Sequence, residues 1–561
     1  MLRAVPTSED DRGTGRRRLP ALLAVAVLFT LLDAIKPLHV DDTYYFFHAR
    51  QVAAAPLDPH GFLIFWHERP EPAGNRVAPP VLPYWLAPAV SAFPDTPWVW
   101  KMWLLPFAFA LVIALDALFR RFAPGLERPL LLLTLASPAL LPSLNMMLDV
   151  PALALALTAQ VLFMRASDAL EDARHPAESR AAASGLWAAG AGLCAGLAAQ
   201  TKYTALVVPV VWLAWAVLHR HLRLWVLATS VAAAVFGAWE GFTALSYGQS
   251  HFLRHVLRRA EPLSDRIPLP LALPSVLGGA APGLALLALT TRGAPASLLG
   301  RVAAALAFVL AVLIAINPWP LTVTFATGLF AAVGLVLLVL LLAATGRLLH
   351  EPAAGARTGR FLVAWLAIEA AGYVALSPFP AVRRVLPLAV VATLVLGHLA
   401  ASSLDTRRRA AVWRAAWLSA AVGSLVAAVD LVEARAAERA ATACADWIRT
   451  HDPSARAFFG GHWGFQYYAE RAGLRPVVSG EFRSKTMLHA GDWLVIPSGR
   501  IDQQQVHLDP ARLEPAHEVR VADPLPLATT PHFYAGLVPL EWLDGPRAAA
   551  VVYRVTGDFQ P

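Results

Sequence analysis

Charge is scarce in this chain. Asp, Glu, Lys and Arg together make up 15% of its 561 residues, whereas 57% are hydrophobic. A soluble protein of this length carries more charge and shorter apolar runs. Cysteine is nearly absent: Cys194 lies in an apolar run and Cys444 in a polar C-terminal region, so neither a disulfide framework nor a paired-cysteine metal site is implied. No glycine-rich phosphate-binding loop is seen, which removes a nucleotide cradle from the options. No repeat of roughly 20–50 residues occurs. The basic stretch "RGTGRRR" has no clear small-residue cleavage site after it, so the following apolar run reads as a membrane helix rather than a removable signal.

What is present is long apolar runs. Mean hydropathy is +0.51, and the runs repeatedly reach about 17–25 residues, enough to cross a hydrocarbon core as helices. They fall near 19–37, 98–119, 129–142, 150–164, 184–200, 203–218, 224–245, 269–291, 301–316, 319–345, 361–376, 384–404 and 413–432. The expectation is a polytopic α-helical membrane protein with about 13 transmembrane helices. Arginine supports the count. With Arg16, Arg17 and Arg18 inside, every second loop is basic, from Arg120 and Arg121 through Arg220 and Arg223 to Arg407, Arg408 and Arg409. That alternation is the positive-inside pattern. The net charge of +8 therefore belongs to membrane topology, not to a nucleic-acid surface, which needs a basic face on a soluble domain.

The topology divides the chain into a cytoplasmic tail over 1–18, a transmembrane domain over 19–432 with a large first outer loop at 38–97, and an outer C-terminal domain over 433–561. In that last part "ARAFFGGHWGFQYYAERAG" reads as strand, glycine-rich turn and helix, and "GDWLVIPSG" as a buried strand, so a small α/β domain is expected. The aromatics Trp463, Phe465 and Tyr467 in it read first as core and second as a sugar-stacking surface.

Polar residues collect on the outer side. Asp41, Asp42, Asp149, Lys202, Arg258, Arg259, Arg383 and Arg384 all map there, the cations against the positive-inside bias. Singly, each has an ordinary reading. The Asp41–Asp42 pair ends a helix in water, Asp149 caps the helix opened by "DVP", Lys202 reaches for the interface, and the arginines touch water or lipid headgroups. Jointly they describe a site for a phosphate-bearing lipid and a second substrate. Lys and Arg hold an anionic leaving group, and a carboxylate takes the proton of an incoming hydroxyl.

The stretch "DDTYYFFHARQ" followed by "PPVLPYWLA" resembles the start of GT-C glycosyltransferases of the protein O-mannosyltransferase and aminoarabinose-transferase type. The acidic pair is Asp41 and Asp42, Tyr45 follows three residues on, and Pro79, Pro80, Tyr84, Trp85 and Leu86 match the next segment. "SPALLPSLNMMLDVPALALALTA" resembles the second acidic motif, with Asp149 as the acid, and "GLCAGLAAQTKYTALVVP" is similar to the segment holding the lysine, here Lys202. "SPFPAVRRVLPLAVV" looks like the late Arg…Leu-Pro segment, with Arg383 and Arg384. The resemblance covers about residues 20–430 in order. It implies the GT-C architecture and transfer of a sugar from a polyprenyl-phosphate carrier with inversion, the base at Asp41 and Asp42 orienting it or the acceptor. The Glu-Lys pair of aminoarabinose transferases is replaced by Val77 and Ala78, with Arg76 and Glu68 as stand-ins. The adjacent His67 and Glu68 are read as ordinary loop chemistry. No metal site is expected, and a divalent ion at the phosphate stays open.

The reading is an integral glycosyltransferase of the inner (plasma) membrane. It moves one sugar to a hydroxyl of an envelope glycan, lipid or protein, using Asp41, Asp42 and Asp149 for the chemistry. Lys202, Arg258, Arg259, Arg383, Arg384 and Arg76 hold the donor phosphate. The alternatives are a polymerase or ligase using a polyprenyl-diphosphate glycan, and a transporter, which predicts ionisable groups buried mid-helix; Asp116 and Glu369 are the residues of that kind.

Overall fold

The computed structural model describes residues 9–66, 70–76, 78–172, 176–258, 268–290, 324–352, 355–478, 486–498, 506–522, 525–543 and 545–561. The span expected at 301–316 lies outside these residues, as do Arg259, His67, Glu68 and Val77.

The first apolar run forms α1 (Glu9–Ala34), and α2 (Asp42–Ala54) begins directly at the acidic pair. A small hairpin, β1 (Leu63–Phe65) with β2 (Pro70–Pro72), then leads to α3 (Val81–Ala92), which starts after Pro79 and Pro80. Proline suits that place because the first helical N–H groups have no partner to lose. Next, α4 (Pro97–Met102) and α5 (Leu105–Phe122) run on as one membrane-length unit.

The expected span at 129–142 is not one. Helix α6 (Glu127–Leu135) has nine residues, about 13 Å of rise, which is under half a bilayer core. Pro138 and Pro142 withhold backbone donors and stop it. Residues 136–148 continue as turns and one 3-10 turn at Leu141–Ser143, nearly all buried, down to Asp149. Irregular backbone at this depth is sustained only where protein surrounds it.

The bundle continues with α7 (Asp149–Glu171), α8 (Ala177–Ala199), α9 (Val208–His219) and α10 (Leu222–Tyr247). Helix α8 lies between α7 and α10. Gly192 and Gly196, four apart, permit the close approach: a Cβ at Gly192 would stand 2.4 Å from the Ala228 carbonyl, and one at Gly196 2.6 Å from Val235 Cβ. Small residues at this spacing let helix backbones meet where no hydrophobic drive separates lipid from protein. Helix α11 (His251–Arg258) is short. Helices α12 (Pro268–Ala280) and α13 (Pro282–Thr290) meet at 86°. The final helices of the bundle are α14 (Phe325–Leu349), α15 (Ala356–Leu376), α16 (Leu386–Ala401) and α17 (Thr406–His451).

Among the described residues, eight helices are long and apolar enough to cross a membrane, or nine with the bent α12–α13 pair as one crossing, against the 13 expected. Helix α17 has 46 residues, about 69 Å. It outruns any bilayer and carries the chain beyond the bundle. The expected join at 432/433 lies inside it.

Beyond α17 is a five-stranded mixed sheet. It uses β3 (Ala457–Phe459), β4 (Arg475–Pro476), β5 (Trp493–Ser498) and β6 (Leu513–Val521). After these come two short strands, β7 (Leu527–Ala528) and β8 (Glu541–Trp542), which pair with each other, and then β9 (Ala548–Val555), which joins the main sheet. The main order is β4-β3-β5-β9-β6, with β3 parallel to β4 and β5, and β9 antiparallel to β5 and β6. Helix α18 (Trp463–Arg471) crosses from β3 to β4 and packs on α17 and α2. Its Phe465 and Tyr467 are core; Trp463 is half-buried. Between β7 and β8, α19 (His532–Ala535) reaches back to the turn at Val382–Val385.

Candidate active site

Four residues far apart in sequence form one chain of charge. Lys202, in the extended residue after α8, donates from Nζ to Asp149 Oδ1 at 2.6 Å. Asp149, the first residue of α7, accepts at Oδ2 from Arg383 Nη1 at 2.7 Å. Arg383, on the 3-10 turn before α16, donates from Nη2 to Asp41 Oδ2 at 3.2 Å. Asp41 sits in the position just before α2. Each local fold is simple: a helix start, a loop between helices and a turn stiffened by Pro387 put short polar segments at one end of the bundle. The chain is most buried at its middle carboxylate and opens toward both ends. The Asp149 side chain is 2% exposed, Arg383 10%, Lys202 18% and Asp41 29%.

This chain lies at the mouth of a narrow cavity between α7, α9, α15 and α16. Its polar rim holds Asp149, Lys202, Arg383 and Arg384, the last with its guanidinium 4.1 Å from the centre of the Phe379 ring. Its walls are mainly apolar, with Leu153, Val208, Val211, Leu386 and Val391 among them. One carboxyl interrupts the wall: Glu369 of α15 accepts a hydrogen bond from Trp365 Nε1 at 3.1 Å. An apolar slot capped by cations suits an amphiphile with an anionic head.

Electrostatics divide the labour. Burial pushes the Asp41 carboxyl above its ordinary range, against the opposing pull of Arg383. Burial lowers Lys202 below the usual lysine range, although Asp149 beside it works the other way. Asp149 spends one oxygen on each cation, so Lys202 and Arg383 are held apart with N–H donors to spare.

Asp42 goes elsewhere. It has no exposure, accepts from Met146 N at 2.9 Å and His39 N at 3.0 Å, and faces Lys101 Nζ at 3.1 Å. It thereby pins the loop before Asp41 to the loop before Asp149. The adjacent acids are split between rim and interior because successive residues at a helix start point to different sides.

Lys101 belongs to a buried network missed by the sequence reading. Lys36 joins Asp33 at 3.0 Å and Asp430 at 2.6 Å, and Asp430 accepts from the Tyr534 hydroxyl at 2.9 Å. Glu433 accepts from Thr529 N at 2.9 Å and Thr530 N at 2.8 Å. Tyr534 also offers its carbonyl to Arg383 Nε at 3.2 Å. Asp33, Lys36, Lys101 and Asp430 lie in or beside apolar runs, and an ionisable residue so placed was the available signal. Tyr534 carried none. His39, Asp430 and Glu433 converge closely enough to hold a cation. The ammonium of Lys36 already stands against Asp430 there, and burial lowers His39 to about 4.

Arg76 does not join the rim. It pairs with Glu71 in the first loop, and its carbonyl meets His251 Nε2 at 3.0 Å. Arg258 ends α11, with its side chain outside the described residues.

No family model matches the sequence, and no curated protein matches it. Solved structures do. ArnT from Cupriavidus metallidurans in the apo state is 16% identical with a TM-score of 0.40, over 86% of this chain and 93% of that one. The same protein bound to undecaprenyl phosphate is 16% identical with a TM-score of 0.39, over 85% and 92%. The archaeal oligosaccharyltransferase AglB from Archaeoglobus fulgidus, in complex with an inhibitory peptide and a dolichol-phosphate, is 13% identical with a TM-score of 0.48, over 86% and 69%. Both proteins are of the GT-C type.

Proposed function

We propose that this chain is an integral-membrane glycosyltransferase that moves a single sugar from a polyprenyl-phosphate carrier to a hydroxyl of a cell-envelope acceptor. The observation that carries the reading is the Lys202–Asp149–Arg383–Asp41 chain at the rim of an apolar cavity. The polyprenyl tail lies along the apolar walls. The phosphate meets Lys202, Arg383 and Arg384, and the sugar projects past Arg383 toward Asp41.

The reaction is a direct displacement. The acceptor hydroxyl gives its proton to the Asp41 carboxylate as its oxygen bonds to the anomeric carbon. The bond from that carbon to the phosphate oxygen breaks, and its electron pair leaves with polyprenyl phosphate. Lys202 and the arginines stabilise the charge that grows on the leaving phosphate. Attack from the face opposite the phosphate inverts the anomeric centre. Asp149 touches neither reacting atom; it is a positioning residue that spaces the two cations. Asp42, through its backbone clamps, positions the loop that presents Asp41. The site belongs to the outer side of the inner membrane.

The test is mass spectrometry of lipids that co-purify with the Asp41→Asn protein, which binds donor without consuming it. A polyprenyl phosphate bearing one sugar is the expected result. A polyprenyl diphosphate with a longer glycan moves the reading to a polymerase or ligase. Bulk phospholipid alone overturns the transferase and favours a transporter, a reading to which Glu369 in the cavity wall gives some footing.

A further inference from the structure

Helix α11 turns its polar face into the protein. His251 and His255, one turn apart on it, are buried, and Arg254 between them reaches the Asn75 side chain of the first loop. Leu253 on the other side is exposed. An amphipathic helix ordinarily does the reverse. What the polar face meets is two more histidines of the first outer loop: His48 of α2, with no exposure, and His60 in the turn before β1, also buried.

The four rings form one cluster. His251 stacks on His60 with centres 4.9 Å apart and planes within 1° of parallel, and His60 stands 5.2 Å from His48. His251 Nε2 lies 3.1 Å from His255 Nε2. The contacts assign the protons. His251 Nε2 is 3.0 Å from the Arg76 carbonyl, which only accepts, so that nitrogen carries the N–H. Its Nδ1 then accepts from the Tyr203 hydroxyl at 2.6 Å. A second N–H, on His255 Nε2, would point at the first, so the pair excludes a charged His255. His60 has no hydrogen-bond partner on either ring nitrogen among the described residues, and a charge there would be neither paired nor solvated.

The charged groups packed around the cluster are engaged with other partners. Asp58, two residues before His60, receives the Tyr247 hydroxyl at 2.7 Å. Glu71 pairs with Arg76. Glu240 of α10, 3.3 Å from the Tyr203 hydroxyl, also receives Gln200 Nε2 at 3.0 Å and the Ser250 hydroxyl at 2.6 Å. Arg254 adds a further positive charge. Burial holds His48 down at about 3, and it lowers His60 and His251 below the ordinary histidine range as well.

We propose that this cluster is an acid-released latch: with its imidazoles neutral it holds α11 to the first loop beside the rim, and their protonation frees α11. The latch reaches the rim through Tyr203, which follows Lys202 in sequence, and through α2, which begins directly after Asp41. A histidine held neutral in the closed form favours closure above its free value of about 6.5, and that contribution is lost as pH falls below it. Between pH 7.5 and 5.5 each such histidine shifts the open-to-closed ratio about tenfold, so His48 and His60 together shift it about a hundredfold. The latch concerns the loop and not the transfer step, and it stands whether or not the donor assignment holds.

The experiment is hydrogen exchange read by mass spectrometry on the full chain in nanodiscs, at pH 7.5 and 5.5, corrected for the intrinsic amide rate. The amides of α11 are expected to lose about a hundredfold or more of their protection at pH 5.5, while those of α7 keep theirs within about threefold. His48→Phe and His60→Phe keep an aromatic ring and remove the titration, and each should cut the acid loss about tenfold. Equal protection of α11 at both pH values overturns the latch, and this wild-type comparison decides even where a variant does not fold. An acid loss that both folded variants retain in full also overturns it, as does a parallel loss in α7, which is global unfolding. Loss of α11 protection at pH 7.5 on adding EDTA overturns it in favour of a metal clamp.

Discussion

The backbone carbonyl of Tyr534 accepts a hydrogen bond from Arg383 Nε at 3.2 Å, across 151 residues of chain. Arg383 thus has three anchors, Asp149, Asp41 and a carbonyl supplied by the segment between β7 and β8. The cavity rim is completed by a piece of chain that lies beyond the bundle in sequence. The same tyrosine bonds Asp430 through its hydroxyl, which joins the rim to the buried charge network.

Tyr534→Phe keeps the carbonyl and deletes only the hydroxyl. Asp430 then loses a buried donor, a loss of about 1–3 kcal/mol. Thermal unfolding in detergent should show that loss, whereas donor affinity should change less than tenfold because Arg383 keeps its anchor. A collapse of donor binding with unchanged stability would reverse the assignment.

Asp41→Asn should lower transfer by roughly 10²–10⁴-fold, the usual worth of a general base, with polyprenyl phosphate binding retained. Burial holds the Asp41 carboxyl above the ordinary carboxylate range. The wild-type rate should therefore fall as pH drops through that raised value, and the acid limb should lie above about 4. The stability sign is opposite. The protonated form is favoured by folding, so this contribution is full at low pH and is lost as pH rises through the folded value. A pH–rate profile with no acid limb above 4 removes Asp41 as the base.

Lys202 is lowered by burial. Its charge, and with it phosphate affinity, should be lost on raising pH at a point below the ordinary lysine value of about 10.4. Lys202→Arg should move that alkaline limb upward, since guanidinium stays charged. An alkaline limb that is the same in both proteins would assign it to another group.

Lys101→Met should be the most damaging change. Lys101 is fully buried between Asp42 at 3.1 Å and Asp33 at 3.8 Å. Removing one partner of a buried pair costs about 3–5 kcal/mol. Asp42→Asn added to Lys101→Met should recover part of the loss, which a double-mutant cycle measures. Additive losses would show that the two side chains are not coupled.

The sequence carried much of the rim. Asp41, Asp149, Lys202 and Arg383 were each legible because a charged residue at the end of an apolar run stands out against its neighbours. Arg384 reached the cavity too. The buried network was harder to read. Lys36 and Asp430 are 394 residues apart, and nothing in either segment says that the other neutralises it. The 129–142 run failed as a span because composition does not register that Pro138 and Pro142 interrupt a helix whose apolar content is adequate.

Composition and periodicity by themselves determined a helical membrane protein and the short polar segments at its helix ends, since apolar runs of bilayer length have one stable use. Only the tertiary structure decided what those segments do to one another. It turned Asp41 to the rim and Asp42 to the interior, set Asp149 between two cations, and brought Tyr534 back to hold Arg383. Those outcomes depend on distances of about 3 Å between residues far apart in the chain, and hydrogen bonding at that range is fixed by packing, not by local sequence.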